Sequence, residues 1–254
     1  MPGCLADPRA RVRGLSRHLV AALLLVLLTP AASLADAELD AYRAGEAALQ
    51  SGDYARAWQI LSPLAEAGNA MAQNDVGVMY GRGLGVEQSY SEAAIWITRA
   101  AEQGNPHAQS TLGYMYYRAR GVERDYAQAA RWSRLAAEQG IASAQSNLGM
   151  LYDEGQGVEQ DYVQAALWYR RAAEQGFAEG QRNLGSLYEH GSGVPADPVR
   201  AYAWYGVASA GGDEIALALR ARVEKRLSPE QIARARELAR ELHQRYSLPE
   251  HGTD

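Results

Sequence analysis

The sequence predicts an all-α protein, a solenoid of helix-turn-helix pairs stacked one upon the next, and three observations carry that prediction. The 254-residue chain matches itself at a shift of 36: Gly77, Gly113, Gly149 and Gly185 fall in one column, Tyr80, Tyr116, Tyr152 and Tyr188 in a second, Trp96, Trp132, Trp168 and Trp204 in a third, and Gly104, Gly140, Gly176 and Gly212 in a fourth. Each copy holds two segments with apolar residues at helical spacing, Ala144, Leu148, Leu151 and Tyr152 on the first and Ala165, Trp168, Ala172 and Ala173 on the second. Glycines punctuate them, Gly155-x-Gly157-Val158 between the segments and Gly176 after them. A fixed period of this size means one supersecondary unit copied and stacked. The 47% apolar content is therefore buried between neighbouring units and not around one centre.

Residues 1–35 read as a secretory signal peptide. Arg9, Arg11, Arg13 and Arg17 form a positive segment, Leu19 to Leu28 is an unbroken apolar run, and Ser33-Leu34-Ala35 sets small residues at a cleavage site expected after Ala35. An uncleaved anchor is the competing reading. The run is short of the roughly 20 residues a spanning helix needs, and Pro30 breaks any extension, so no stable membrane anchor is expected after cleavage. The leader has no Arg-Arg pair, and the single cysteine, Cys4, precedes the apolar run and so cannot be a lipidated cysteine following it. The expected destination is the periplasm or the exterior. Without the leader's four arginines and one aspartate the net charge moves from −5 to −8, which argues against binding nucleic acid or an anionic membrane. A cysteine-free remainder has neither a disulfide framework nor thiol chemistry.

From Asp36 the chain enters helices. Ala41, Ala44, Gly45, Ala48 and Leu49 share one helical face, Ser51-Gly52-Asp53 stops that helix, and Asp53 caps the next, which runs to Glu66. This second helix keeps the register of the later units, Tyr54 aligning with Tyr90 and Gly68 with Gly104, but Trp58 is displaced from the tryptophan column. Residues 36–68 are thus a divergent first pair that seals one end of the stack. Four regular units follow, 69–104, 105–140, 141–176 and 177–212. In each, a glycine inside the first helix, Gly149 in the third unit, lets the partner helix approach closely, at a cost of roughly 1 kcal/mol against Ala. Asp161 caps the second helix of that unit. After Gly212 the pattern ends: Asp213 to Arg226 is helical without the repeat signature. Ser228-Pro229-Glu230-Gln231 is a capping box, and the helix after it carries Ile232, Ala235, Leu238 and Leu242 on one face. Residues 213–246 are expected to cap the last repeat, and 247–254 to form a disordered tail.

The leucine-glycine, tyrosine, glycine-x-glycine-valine, aspartate, alanine-tryptophan and alanine-alanine-x-x-glycine positions, in phase over 69–212, resemble the Sel1-like repeat family, relatives of tetratricopeptide repeats. The resemblance implies a right-handed α-solenoid in which residues 36–68 are a tetratricopeptide-like capping hairpin and the first helices line a concave wall. Departures are local. Ser89 replaces the capping aspartate of the first unit, Pro198 replaces the tyrosine of the fourth, and Ala119 replaces the first loop glycine of the second, where a reshaped loop is expected.

No catalytic constellation emerges. Gly81-x-Gly83-x-Gly85 follows a helix and not a strand, in the repeat's own loop register, so it is no nucleotide loop. There is no Gly-x-Ser-x-Gly, and Lys225, the single lysine, has Arg222 three residues before it, so no Ser-x-x-Lys exists. Some secreted Sel1-like proteins are discussed as β-lactam-binding or hydrolysing; those are cysteine-rich, and a hydrolase of that kind is the remote alternative here. His107, His190, His243 and His251 lack metal-ligand spacing, and Asp153-Glu154 and Asp213-Glu214 point to different sides of a helix. We expect no enzyme activity, no catalytic residue, no metal and no cofactor. The tyrosine and tryptophan columns recur in phase with core alanines and read as core, not as a sugar-stacking ladder.

What the repeat leaves free is one face of the first helices. Positions 3, 7, 10 and 14 of the unit vary and share that face. They are Met71, Asp75, Val78 and Arg82; His107, Thr111, Tyr114 and Arg118; Ser143, Asn147, Met150 and Glu154; and Glu179, Asn183, Ser186 and His190. The plainer reading is unconstrained, solvent-facing variation. The functional one is a surface for a protein or peptide partner in envelope assembly or signalling, anchored by Tyr114, Arg118 and Met150. A structural accessory of a polysaccharide or envelope assembly, with glycan as a ligand, is the alternative.

Overall fold

The computed structural model describes residues 35–246; residues 1–34 of the expected leader and the C-terminal tail lie outside the described residues. Among the described residues every regular element is an α-helix: α1 (35–50), α2 (Tyr54–Glu66), α3 (Ala70–Arg82), α4 (Tyr90–Glu102), α5 (Pro106–Arg118), α6 (Tyr126–Glu138), α7 (Ala142–Glu154), α8 (Tyr162–Glu174), α9 (Ala178–His190), α10 (Pro198–Ala210), α11 (Glu214–Glu224) and α12 (Pro229–Tyr246). The chain forms two compact units, divided between Leu64 and Ala65. In the first, Asp53 accepts from the Arg56 amide at 3.1 Å and so caps α2, and a Cβ on Gly45 would come within 2.6 Å of the fully buried Leu61.

The second unit is an α-solenoid. Helices pack in sequence order, α3 on α4, α4 on α5, and so on to α10. The close approach within each pair depends on the glycine column. A Cβ on Gly77, Gly113, Gly149 or Gly185 would meet Ile97, Ser133, Tyr169 or Tyr205 at 2.7, 2.6, 2.7 and 2.9 Å. The second loop glycine serves contact between units: a Cβ on Gly157 would sit 2.1 Å from the Tyr126 carbonyl oxygen, at a φ of +69°. Gly121 and Gly193 meet the carbonyls of Tyr90 and Tyr162 in the same way. That loop therefore rests directly on the backbone where the preceding unit's second helix begins, and no side chain fits between.

Ala119 keeps the fold of its neighbours. The expectation of a reshaped loop is corrected: Ala119 adopts φ 54°, ψ 44°, the left-handed conformation of Gly83, Gly155 and Gly191, and its amide still bonds to the Met115 carbonyl. Packing of the following Gly121 against Tyr90 leaves the backbone no room to relax. Ser89 also preserves its cap, accepting from the Glu92 amide at 3.2 Å, and Pro198 occupies the first turn of α10.

A second column of inter-unit contacts is polar. Gln73, Gln109, Gln145 and Gln181 are buried, and each donates to a carbonyl of the preceding second helix, Ala65, Ala101, Ala137 and Ala173, at 3.0 to 3.2 Å. The first three also accept from Gln103, Gln139 and Gln175 at 2.7 Å. These glutamines give a second donor to carbonyls in the last turn of the helix, each of which also accepts from the backbone amide of Gly68, Gly104, Gly140 or Gly176. Trp132, Trp168 and Trp204 are buried, and Arg99, Arg131 and Arg171 lie over Trp96, Trp132 and Trp168 at 4.7, 4.9 and 4.5 Å. The tyrosine column is half-buried at Tyr80, Tyr116 and Tyr152 and buried at Tyr188, so both aromatic columns belong to the packing between helices.

At the C-terminal end α11 and α12 both pack on α10, burying Ala201–Ala208 without a break. Tyr246 stacks on Trp204 with ring centroids 6.0 Å apart. Although it lacks the repeat's glycine and tyrosine, α11 keeps the register of a first helix. Asp213 caps it as Asn69 and Asn105 cap α3 and α5, and the buried Ala216 and Val223 stand in the columns of Ala72 and Met79.

Candidate partner-binding face

The sixteen stripe positions lie on α3, α5, α7 and α9, and none is buried. Their neighbours on the same helices, such as Ala72, Gln73, Val76 and Met79 in α3, are. The helices thus have one wet stripe beside a closed packing face, as the 3.6-residue period requires. Consecutive first helices touch, α5 with α7 and α7 with α9, while no comparable contact joins consecutive second helices among the described residues. The first helices are therefore on the tighter side of the stack.

Along the stripe the character changes. At one end Met71, Tyr114, Arg82 and Arg118 are exposed and Val78 is half-buried. Thr111 donates to the His107 carbonyl at 2.9 Å, and Asp75 accepts from Asn74 at 3.1 Å. Beyond them Ser143 bonds the Ser110 hydroxyl at 3.1 Å, Asn147 is half-buried, and Met150 is half-buried against the core cluster around Tyr169 and Leu184. Met150 is thus partly committed to internal packing. On α9, Glu179 pairs with Arg182 at 3.6 Å, Asn183 and Ser186 are half-buried, and the His190 ring lies 2.8 Å from the Ser186 carbonyl.

The structure brings one part of the stripe together. Val78, Arg82, Thr111 and Tyr114 line a pocket of about 180 Å³ whose floor is Gly77, Gly81, Ala93, Ile97 and Met115 and whose rim includes Tyr90 and Arg120. The Arg120 guanidinium lies 5.5 Å from the Tyr90 ring and 5.8 Å from the Tyr114 ring, and Arg118 lies 5.9 Å from Tyr114. Sequence reasoning singled out neither Tyr90 nor Arg120, because both stand outside the first-helix stripe. Gly81 at the end of a helix facing Ala93 was the available signal.

The column of Gly81 continues as Tyr117, Asp153 and Glu189, and here the site's electrostatics are set. The Glu189 side chain is only 3% exposed, accepts from the Tyr205 hydroxyl at 2.9 Å, and pairs with Arg222 at 2.9 Å and with Arg226. Burial alone would raise its carboxyl. Hydrogen bonds from Arg222 and Tyr205, the Arg222 charge and the Arg226 hydrogen bond outweigh that and hold it below the ordinary carboxylate range. Asp153 accepts from Tyr169 at 3.3 Å and has no ion pair among the described residues; burial raises its carboxyl, against the Tyr169 hydrogen bond and the His190 charge. Glu154 is likewise raised, by burial and then by Asp153, against a hydrogen bond from Tyr117. The Tyr169 and Tyr205 hydroxyls are pushed far up, by burial first and then by their acids, so they remain donors throughout the physiological range. Among the described residues no group of His, Cys, Asp and Glu has the arrangement of a metal site.

Residues 70–105, 106–141, 142–177 and 178–213 each match the Sel1 repeat. Comparison with curated proteins finds no match. Among solved structures the chain is similar to a protective antigen present in uropathogenic Escherichia coli strains and displaying an SLR fold. It is 34% identical to that protein, with a TM-score of 0.78, over 83% of this chain and 46% of the other, so it spans about half the antigen's length. It is similar also to a Sel1 repeat protein from Oxalobacter formigenes, at 32% identity and a TM-score of 0.69, over 80% of this chain and 82% of the other. Four matched repeats covering more than half of its residues, in the fold of a relative spanned over most of its length, mean that the chain belongs to the Sel1 repeat family.

Proposed function

We propose that this protein is an exported, non-catalytic scaffold that binds a protein or peptide partner through the stripe on α3, α5, α7 and α9, in envelope assembly or signalling. The observation that carries the reading is the stripe itself: sixteen side chains on four successive first helices, none buried, that differ from copy to copy while the packing columns beside them repeat. A stacked wall of this kind presents a long surface, which suits an extended partner better than a small substrate. Export rests on the signal-like composition of residues 1–35.

The test is a crosslinking pull-down from the envelope fraction, wild type against a Tyr114→Ala, Arg118→Ala, Met150→Ala triple variant of matched thermal stability. A protein captured by the wild type and lost with the variant is the expected result. Capture by both moves the binding site off the stripe, and capture of soluble glycan in place of protein turns the function to polysaccharide assembly. Retention of the full-length protein in the cytoplasm contradicts export.

A further inference from the structure

We propose that the pocket between α3, α4 and α5 receives an apolar side chain of a partner segment whose flanking residues are acidic, with Arg82, Arg118 and Arg120 meeting those carboxylates. The proposal rests on the reading that the first-helix stripe binds a polypeptide, and it names the chemistry of the segment.

The pocket exists because a recurring bridge is missing. In the third and fourth units a tyrosine crosses the glycine column and bonds an acid on the first helix, Tyr169 to Asp153 at 3.3 Å and Tyr205 to Glu189 at 2.9 Å. The first unit has Ile97 in place of the tyrosine and Gly81 in place of the acid, and the vacated space is the pocket. Its floor is apolar. Its volume, about 180 Å³, falls below the roughly 300–1,000 Å³ of small-molecule sites and suits one aliphatic or aromatic side chain.

Its rim is cationic. Arg82 and Arg120 line the pocket, Arg118 stands beside Tyr114, and among the described residues none of the three makes an ion pair. Arg120 lies between two tyrosine faces, which hold its plane and leave its N–H edge for a carboxylate. On the same stripe Asp75 lies two turns from Arg82, about 10 Å along the helix, away from the pocket. Of the stripe's other acids Glu154 accepts from Tyr117, next to Arg118, and Glu179 stands farther along; with a net charge of −5 on the whole chain, an acidic segment is held best at the Arg82 and Arg120 end. Three guanidiniums exceed what a single terminal carboxylate needs, so the recognised anions are Asp and Glu side chains within a chain.

The experiment probes an array of random peptides with the full-length protein, each peptide present both capped (N-acetyl, C-amide) and with a free C-terminus. The proteins compared are wild type, Gly81→Leu and Arg82→Glu/Arg120→Glu, all at matched thermal stability. Gly81→Leu fills the pocket without displacing backbone, since a Cβ there meets only the Ala93 methyl, at 3.6 Å. The expected consensus is Asp or Glu beside Leu, Ile, Phe, Tyr or Met, bound equally when capped. Each variant weakens binding about tenfold or more, the loss of a charge-assisted contact or of a buried anchor, and added salt weakens it further. A neutral or basic consensus, a requirement for the free C-terminus, or binding unchanged in both variants overturns the proposal. If bound peptides then respond to Asn147→Ala or Met150→Ala, the stripe still binds a polypeptide. Peptides insensitive to every stripe substitution, or no binding at all, contradict both readings.

Discussion

At the residue scale, two positions carry most of what is particular to this chain. Ala119 does a glycine's work with a Cβ, and a left-handed conformation costs a non-glycine residue roughly 1–2 kcal/mol. Ala119→Gly is therefore expected to stabilise the protein by about 1 kcal/mol, since the gain is reduced by the greater entropy of the unfolded glycine chain; a thermal melt measures it. Gln145 is the reverse case, a polar side chain at the centre of packing. Gln145→Leu removes the donor to the Ala137 carbonyl and the acceptor for Gln175. The Ala137 carbonyl keeps the Gly140 amide as donor and Gln175 is exposed, so the change loses two hydrogen bonds at about 0.5–1.5 kcal/mol each, partly offset by the added apolar surface, and a modest fall in the denaturation midpoint is expected. The glycine and tryptophan columns were legible in the sequence because their spacing repeats. The glutamine column repeats as faithfully but went unread, since glutamine is ordinarily a surface residue and only contact between units shows what it bonds.

At the scale of the elements, the junction of α9, α10 and α11 shows how one column can have opposite electrostatic roles. The depressed carboxyl of Glu189 contributes stability that is present above the ordinary glutamate range and is lost as the pH falls through its lower folded value. Glu189→Gln is expected to cost about 1–3 kcal/mol at neutral pH. The difference from wild type shrinks on acidification. Asp153, raised by burial and without an ion pair, has the other sign: its charged form is the disfavoured one in the fold, so the penalty is absent below the ordinary aspartate range and grows as the pH rises through the folded value. Asp153→Asn is expected to leave stability unchanged or raise it at neutral pH, with the difference vanishing in acid. Chemical denaturation of both variants across pH reads the two slopes. The helix that completes this junction was half legible: capping by Asp213 and the helical spacing were visible, but Arg222 and Arg226 find Glu189 across more than thirty residues, beyond any local pattern. They take up the stripe columns on α11, so the cationic side chains there face an internal acid and not a partner.

On the whole-molecule scale, the solenoid follows from one thirty-six-residue unit that cannot bury its apolar faces alone. Stacking fixes the positions that pack, and the positions left over form the stripe. The stripe was read correctly as accessible from helical spacing alone, but its division into an open pocket at one end and half-committed side chains at the other was not. That division depends on Ile97 and Gly81 replacing a tyrosine and an acid, which matters only once the helices face each other. The most direct test of the central claim places a benzophenone photocrosslinker at one position per protein, Thr111 on the stripe or Ile95 on the exposed face of α4, and irradiates cells producing each. The account predicts a specific protein or peptide adduct from position 111 and none from position 95. An adduct from position 95 with none from position 111 would contradict it.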